Sequence, residues 1–427
     1  MRALNACVAA ILMSSVLLAP MGALHAETVL LRNGVIHTEG AQGTIEGGSI
    51  LLVDGVVTAM GVDVVAPERA TIIDLKGHAV TPALFGGVGH LGVIEVEQEH
   101  TTEDSTLHLG KMHPEFDPLF AFNPDSIPVE VSRVEGIGFA VLEPGATGAR
   151  RGGLGSSVIA GLASVVRLDG RNNSSLKALS VRLGESAQSL AGDSRAGAYL
   201  LLSQAFEEAR DPKVAASHEQ QLLTPAGRRV LQSVLAGQKP VLFSVDRAAD
   251  IRTVVEFSQR EKLQAVVVGG SEAWRVAPLL ASARIPVILD PLDDLPESFD
   301  RIGSTLENAA RLHRAGVAIA FSLRADSPHM ERKLRQAAGN AVAHGLPWDV
   351  ALAALTREPA RIFHATHEYG SIATGRVANL VVWSGDPLEV TSLVEASWLN
   401  GQRISLQTRQ TALRDRYLEK VRSGTAR

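Results

Sequence analysis

The chain has 427 residues, 45% of them hydrophobic and 20% charged, which is typical of a globular protein with a large core. Its formal net charge is −5 and its lysines and arginines are scattered, which excludes the basic surface of a nucleic-acid-binding protein. Cys7 is the single cysteine, so the rest of the chain has no disulfide and no cysteine metal ligand. Packing alone must hold the fold.

The N-terminus predicts an export signal. Arg2 precedes an apolar run over residues 8–21, and small residues follow it up to Ala26. A membrane anchor is the alternative, but the run is shorter than the ~20 apolar residues that cross a bilayer. We expect cleavage after Ala26 (a signal over residues 1–26), no membrane span in the mature protein, and a periplasmic or secreted location.

Short β-type segments lie near both ends of the chain. They are separated by Asn-Gly, Gly-Gly and Asp-Gly pairs, which are typical of hairpin turns. Because these segments flank a long middle region, they predict one small β-sandwich built from residues 27–80 and 370–427. Its predicted strands cover residues 28–32, 49–53, 56–60, 380–383 and 394–399.

Residues 81–369 alternate short apolar strands with amphipathic helices, a pattern typical of parallel strands covered by helices. The region is long enough for a (β/α)8 TIM-type barrel of ~250 residues, with functional residues at the strand C-termini. An open doubly wound sheet is the alternative, since only some strands can be located. Residues 96–131 are predicted to form an inserted loop, and residues 171–194 are predicted to form a loop or a lid. The located strands are 138–142, 241–245, 265–268, 287–289 and 317–321, and the helices 249–261, 273–283 and 330–344.

Two segments carry a family resemblance. Residues 80–85 read Val-Thr-Pro-Ala-Leu-Phe, and residues 375–383 read Gly-Arg-Val-Ala-Asn-Leu-Val-Val-Trp. With them the chain resembles the amidohydrolase superfamily, close to secreted imidazolonepropionase-like members. The resemblance implies a hydrolase acting on non-peptide carbon–nitrogen bonds of amides, lactams, N-acyl amino acids or dipeptides. It also implies zinc or another divalent ion at the barrel mouth, which activates a water. Further similar segments are 123–125, 144–145, 247–251, 271–274 and 340–346.

The first-strand ligands of that family form a His-x-His pair, and here the first position is Val88. Only His90 remains of the pair, since valine has no lone pair to donate. The fifth-strand position offers Ser244 and Asp246 in place of a histidine, so Asp246 is a candidate substitute ligand.

The sixth-strand position is Gly269, which removes that ligand altogether. The eighth-strand aspartate, the family's general base, corresponds to Asp326, with a register uncertain by one or two residues. A catalytic zinc site needs three protein ligands. His90, Asp246 and Asp326 supply three only if every one of these assignments holds.

Two hypotheses follow from this count. The first is a metal-dependent hydrolase with His90 and Asp326 as surviving ligand and base. The second is a pseudoenzyme that keeps the barrel as a binding or assembly scaffold, as a homo- or hetero-oligomer or beside an intact paralogue. Fold alone does not decide between them, because function depends on the site. The ligand count favours reduced or lost catalysis, with zinc or another divalent metal bound only if the site is active.

Other residues are weaker candidates for ligand contact. Arg150 and Arg151 precede a glycine-rich stretch and could clamp an anion, or be solvated surface residues. Arg247 and His329 follow the fifth and eighth strands. The stretch 152–157 lacks both the ending of a phosphate-binding loop and the Gly-x-Ser-x-Gly turn of a serine hydrolase.

The remaining histidines are secondary candidates. Those of the inserted loop could replace lost ligands if the loop folds inward, although their spacing does not require it. The pair near residue 365 lies where the chain returns to the sandwich, which favours a capping or surface role. The loop histidines are His100, His108 and His113, and the pair is His364 and His367.

Overall fold

The structure is a computed structural model. It describes residues 27–422 except 108, 110–111, 146–156, 171–174, 218–220 and 325–327. The predicted signal, residues 1–26, therefore lies outside the described residues. In the described part of the chain, no helix is both long enough and apolar enough to cross a membrane.

The central element is an eight-stranded sheet that forms a nearly closed barrel, which confirms the predicted fold class. Its strand order is β13-β12-β11-β10-β9-β8-β7-β6. The two edge strands meet at Ser322, whose hydroxyl accepts a hydrogen bond from the Val88 backbone N–H (2.9 Å) and donates one to the Val88 carbonyl (3.1 Å). The strands are β6 (Leu84–Gly89), β7 (Ile137–Leu142), β8 (Ile159–Arg167), β9 (Lys177–Arg182), β10 (Val241–Val245), β11 (Ala265–Gly269), β12 (Val287–Leu289) and β13 (Ile319–Phe321).

One barrel strand corrects the prediction of parallel strands. β8 pairs antiparallel with both β7 and β9, whereas the other seven strands all run in one direction. Antiparallel neighbours can be joined without a crossover helix. The chain accordingly passes from β7 through β8 to β9 with no described helix between them, and seven strands end at the same mouth.

Helices cover the outside of the barrel and bury the largest hydrophobic cluster against the strands. Two predicted helices begin differently from their prediction, since each opens with a short 3-10 segment, Ala273–Val276 and Pro328–Lys333. The helices are α1 (Ile127–Val134), α2 (Arg195–Arg210), α3 (Pro212–Ser217), α4 (Pro225–Leu235), α5 (Ala248–Glu261), α6 (Ala277–Ala283), α7 (Asn308–Arg314), α8 (Leu334–Ala343), α9 (Trp348–Leu355), α10 (Arg357–Ile362) and α11 (Arg409–Arg422).

A second cluster fills the barrel interior with alternate residues of the strands, as the period of two along a strand requires. Aromatic rings close its floor: Phe139 stacks on Tyr369 with centroids 4.3 Å apart, and Phe85 packs against Phe139 and Phe363. These rings close one end of the barrel interior, and the described mouth cavity lies at the strand C-termini.

The chain ends join in a second eight-stranded sheet, here called the composite β domain, which has its own hydrophobic core. N-terminal and C-terminal strands meet where β5 pairs with β14, Leu380 opposite Pro82. The predicted boundaries at residues 80 and 370 stay a prediction. The strands are β1 (Thr28–His37), β2 (Thr44–Val53), β3 (Val56–Gly61), β4 (Thr71–Asp74), β5 (Ala79–Pro82), β14 (Leu380–Trp383), β15 (Val394–Leu399) and β16 (Gln402–Arg403).

Candidate functional site

A cavity of about 500 Å³ lies at the barrel mouth, where the parallel strands end. Polar and apolar surface line it about equally, and the polar part includes residues at or just after the ends of the parallel strands. Cavities of this size and place are the usual binding sites of barrel proteins. The polar residues at or just after the strand ends that line it are His90, Glu143, Arg182, Asp246, Asp290, Ser322 and Arg324.

His90 follows β6 and is held by the end of the neighbouring strand β7. Its Nδ1 lies 2.9 Å from the backbone oxygen of Glu143. A carbonyl oxygen only accepts, so Nδ1 must carry the proton and Nε2 is left with its lone pair. Burial lowers the pKa of His90, against the opposing effect of the Glu143 carboxylate. His90 is therefore neutral at neutral pH, with Nε2 free to act as an acceptor or a base.

Glu143 is buried directly after β7, and two residues of β9 hold its carboxylate. Ser180 donates a hydrogen bond to Oε1 (2.7 Å), and Arg182 Nη2 lies 3.9 Å from Oε2. The Arg182 guanidinium also donates to the Pro144 carbonyl at 3.1 Å. His90, Glu143 and Arg182 thus form one side of the mouth, and sequence analysis identified only the first of them.

The opposite side is built on Asp246, which follows β10. The Arg324 guanidinium donates to both of its carboxylate oxygens, with 3.0 Å from Nη1 to Oδ2 and a very short contact from Nη2 to Oδ1. Ser271 adds two hydrogen bonds to Oδ1, from its backbone N–H (3.1 Å) and its hydroxyl (2.9 Å). Burial alone would raise the pKa of Asp246, but Arg324 with the other donors lowers it below its usual range.

Gly269, the last residue of β11, explains how the arginine fits. A Cβ built at Gly269 would lie 2.4 Å from Arg324 Nη2 and 2.7 Å from Asp246 Oδ1. Its φ of +94° is also a conformation that residues with side chains rarely adopt. The Arg324 guanidinium therefore occupies the space into which a side chain at position 269 would begin to project.

Two more aspartates surround Arg324 from the loop after β12. Asp290 accepts hydrogen bonds from the backbone N–H groups of Arg324 (2.9 Å) and Leu292 (2.8 Å), and burial raises its pKa. Asp293 lies 3.6 Å from Arg324 Nε and makes a very short contact with the Ser271 hydroxyl, whose single proton it shares with Asp246. The arginine is thus fixed from three sides by acidic residues.

The other predicted contact residues lie elsewhere. Arg247 is bound at two points to Asp250 in the first turn of α5, at 2.9 and 3.0 Å, and does not line the mouth. His329 is exposed and lies 3.9 Å from Glu97. Asp326, Arg150 and Arg151 lie outside the described residues, as does His108.

The secondary histidines that the structure describes do not line the mouth cavity. Those of the inserted loop pair with nearby glutamates, His100 with Glu103 (3.7 Å) and His113 with Glu115 (3.2 Å). His364 lines a shallow pocket at the opposite end of β10 and β11, beside Pro240.

We tested whether this mouth fits the divalent ion that the family resemblance implies. Among the described residues, no three His, Cys, Asp or Glu side chains converge on a metal position. Asp246 already accepts four hydrogen bonds, and two of them come from a permanently charged guanidinium. Val88 and Gly269 offer no donor atoms. The described residues therefore do not fit a catalytic divalent ion.

Comparisons with known proteins agree with this fold. Residues 235–408, from the end of α4 to the composite β domain, match the model of the amidohydrolase family. The chain carries an amidohydrolase-family domain. No curated protein matches the sequence.

Solved amidohydrolase structures extend the likeness to the whole described fold. An amidohydrolase from Thermotoga maritima MSB8 is 24% identical, with a TM-score of 0.77 over 88% of this chain and 99% of that one. A prolidase in complex with N-methylphosphonate-L-proline is 15% identical, with a TM-score of 0.54 over 89% and 100%. An adenosine deaminase from Xanthomonas campestris with bound zinc is 14% identical, with a TM-score of 0.50 over 92% and 98%. At these identities, the amidohydrolase-family domain shares the fold of these proteins.

Proposed function

We propose that this amidohydrolase-family chain has lost metal-dependent hydrolysis of carbon–nitrogen bonds and works as a binding protein, with the barrel mouth as its ligand site. The single observation that carries the proposal is the Arg324 guanidinium, which is bound to Asp246 and fills the space beside Gly269. It puts a fixed positive charge at the ends of β10, β11 and β13.

The charge of the Arg324 guanidinium opposes a divalent ion at this place. A divalent ion that used Asp246 as a ligand would lie within a few ångströms of the guanidinium. At an effective dielectric of ~20, two positive unit charges 4 Å apart repel by about 4 kcal/mol. For a divalent ion this repulsion is doubled. The ion would also have to displace Arg324 from a two-point hydrogen bond, which is among the stronger polar contacts in proteins.

The mouth retains the means to bind a small polar molecule. His90 Nε2 can accept a hydrogen bond, and the guanidinium of Arg182 is a donor beside an apolar floor of Val88 and Ile288. An amide, a lactam, an N-acyl amino acid or a dipeptide carries the matching acceptors and N–H donors. We propose this ligand class, which is also the substrate class that the family resemblance implies.

Metal content tests the proposal. The mature protein is dialysed, incubated with zinc and analysed for metal, with His90→Ala as the matched variant. We expect no stoichiometric zinc in either protein. One equivalent of zinc in the wild type that is absent from His90→Ala would overturn the loss of the metal site, and would make hydrolysis assays on the same ligand class the next step.

A retained hydrolase is the second candidate, and the neutral His90 with its free Nε2 favours it. In that case His90 and Asp326 serve as ligand and base, with Asp246 as a substitute ligand. His90→Ala and Asp326→Asn would then each abolish turnover of a lactam or dipeptide without unfolding the protein. Turnover retained in both variants would exclude these roles.

We also propose an exported, mature form that begins after Ala26, because of the charged and apolar segments of the N-terminus. Sequencing the N-terminus of the protein purified from its native host tests this. A first residue at Glu27 is expected, and an intact Met1 would contradict it.

A further inference from the structure

A second cavity, here called the junction cleft, lies between the composite β domain and the first turn of α9. It has a volume of about 470 Å³, and none of its described lining residues lines the mouth cavity. β1 contributes Val35 and His37, α9 contributes Trp348, and the turn after β14 contributes Asp386 and Pro387. Small-molecule sites have volumes of about 300–1,000 Å³, and they are common where two structural units meet. The junction cleft therefore has the size and the place of a ligand site.

Trp348 and His37 form an aromatic wall of the junction cleft. Trp348 is the first residue of α9 and is half-buried. Its ring centroid lies 4.7 Å from that of His37, with an angle of 48° between the ring planes. The face of an indole ring is apolar and carries a partial negative charge, so it packs against apolar groups and attracts organic cations.

Asp386 is held beside this wall by two hydrogen-bond donors. The Trp348 indole N–H lies 3.0 and 2.9 Å from its two carboxylate oxygens, and the Leu388 backbone N–H donates to Oδ1 at 2.8 Å. An ionised carboxylate has about four lone-pair positions, so it can accept a further donor. Asp386 is exposed, and the lining of the cleft, within the part of the chain that the structure describes, contains no lysine or arginine.

The two histidines of the junction cleft do not neutralise the carboxylate. Burial lowers the pKa of His37, against the opposing effects of Glu46 and Asp386, so its ring is mostly neutral at pH 7. His78 Nδ1 lies 2.7 Å from Glu395 Oε2, and this pair carries no net positive charge in either protonation state of the ring. The junction cleft therefore combines an aromatic wall with a negative charge.

We propose that the junction cleft binds a small organic amine, with its ammonium group on Asp386 and its apolar body on Trp348. The ammonium supplies the donors that the carboxylate can still accept, and hydrogen bonds between charged groups are stronger than neutral ones. A cation close to the indole face adds a further attraction. A neutral ligand of the same shape would lose both contributions, and an anion would be repelled.

The hydrogen bond between Trp348 and Asp386 has a purely structural alternative, in which it joins α9 to the composite β domain and binds nothing. The two roles differ in one measurable property, because a structural contact does not distinguish ligands by their charge. Tryptamine is therefore the probe, and N-acetyltryptamine is its neutral counterpart with the same ring. Isothermal titration calorimetry of the mature protein at pH 7 and low salt should give a Kd of about 1 mM or lower for tryptamine, and binding about tenfold weaker for the neutral probe.

Three variants place the amine. Asp386→Asn keeps an oxygen that accepts from the Trp348 indole but removes the charge, so tryptamine should bind about tenfold more weakly, like the neutral probe. Trp348→Leu removes the ring and should weaken both probes. Asp349→Asn is the matched control, because it makes the same change at the next residue of α9, which is exposed and does not line the junction cleft. Its affinity for tryptamine should stay within about twofold of the wild type, since its carboxylate does not meet the ammonium. Circular dichroism checks that the variants fold.

Four outcomes would overturn the proposal. They are a wild type that binds neither probe, equal affinity for the two probes, undiminished tryptamine binding in Asp386→Asn, and a loss in Asp386→Asn that is equal for both probes. The third would put the amine elsewhere, such as the mouth, and the fourth would give Asp386 a structural role alone. None of these outcomes bears on the metal content of the mouth.

Discussion

The guanidinium of Arg324 and the carboxylate of Asp246 form a two-point ion pair across the barrel mouth, joining the ends of β13 and β10. Both side chains are largely buried. Removing one partner of such a pair leaves a buried charge without compensation, which is more damaging than removing both.

The first prediction is a double-mutant cycle on this pair. Arg324→Met should lower the free energy of unfolding by about 3 kcal/mol, because Asp246 keeps its charge in a poorly solvated place. Adding Asp246→Asn should recover part of the loss, with a coupling energy of about 2 kcal/mol. Urea denaturation of the four proteins measures this coupling. Strictly additive losses would mean that the pair contributes nothing as a pair.

The second prediction concerns Gly269. Gly269→Ala should destabilise the wild type by more than the about 1–2 kcal/mol that positive φ costs an alanine, because the new Cβ also meets Arg324. In an Arg324→Ala background the loss should be smaller, because only the backbone cost and the contact with Asp246 remain. Equal losses in the two backgrounds would show that the guanidinium does not occupy that space.

The third prediction concerns the protonation of His90. Burial lowers its pKa from 6.5, and its Nδ1–H donates to the Glu143 carbonyl. A ¹⁵N-labelled protein should therefore show, at pH 7, a neutral ring protonated on Nδ1. Titration by NMR should place the pKa below 6.5. A ring protonated on Nε2 would contradict the hydrogen bond to Glu143.

The fourth prediction uses a buried carboxyl group outside the mouth. Glu331 packs against the glycines of β6, where a Cβ at Gly89 would lie 2.7 Å from its Oε1, and its Oε2 has no hydrogen-bond partner in the described structure. Burial raises the pKa of Glu331 well above 4.5. The folded protein should therefore keep this proton to a higher pH than the unfolded chain does.

The raised pKa of Glu331 should make the free energy of unfolding fall as pH rises. Above pH 4.5 the unfolded chain releases the proton while the folded chain holds it, so this group lowers stability as pH rises, by at most about 1.4 kcal/mol per pH unit. Glu331→Gln removes the effect, and its stability relative to wild type should rise from pH 4 to pH 8. Urea denaturation at both pH values measures it. A constant difference would indicate that Glu331 ionises normally.

Much of the fold could be predicted from the sequence because β11 and β12 are continuous apolar runs between amphipathic helices and β10 is an apolar run broken only by Ser244. β9 was missed, and its residues were predicted as a loop or lid. The apolar residues of β9 are few, because charged residues stand at both ends of the strand and Ser180 binds Glu143 inside the barrel. β8 was missed because no described helix lies between β7 and β8 or between β8 and β9, so the strand–helix alternation fails there.

The candidate site was predicted in part. His90 and Asp246 were found by family resemblance, and both line the mouth. Glu143 and Asp290 could have been found from a simpler signal, since each is the acidic residue directly after a buried parallel strand. Arg324 could not, because it comes three residues after β13 and its role depends on the space left by Gly269, which is distant in sequence.

The composite β domain has a consequence for the order of folding. Trp383 donates a hydrogen bond to Thr81 across 302 residues of chain, and β5 pairs only with β1 and β14. While the ribosome is still making the barrel, one edge of β5 has no neighbour. The N-terminal strands can therefore complete their sheet only after synthesis has passed β14, which makes closure of this domain a late event, and a chain truncated before residue 380 would expose an unpaired strand edge prone to aggregation.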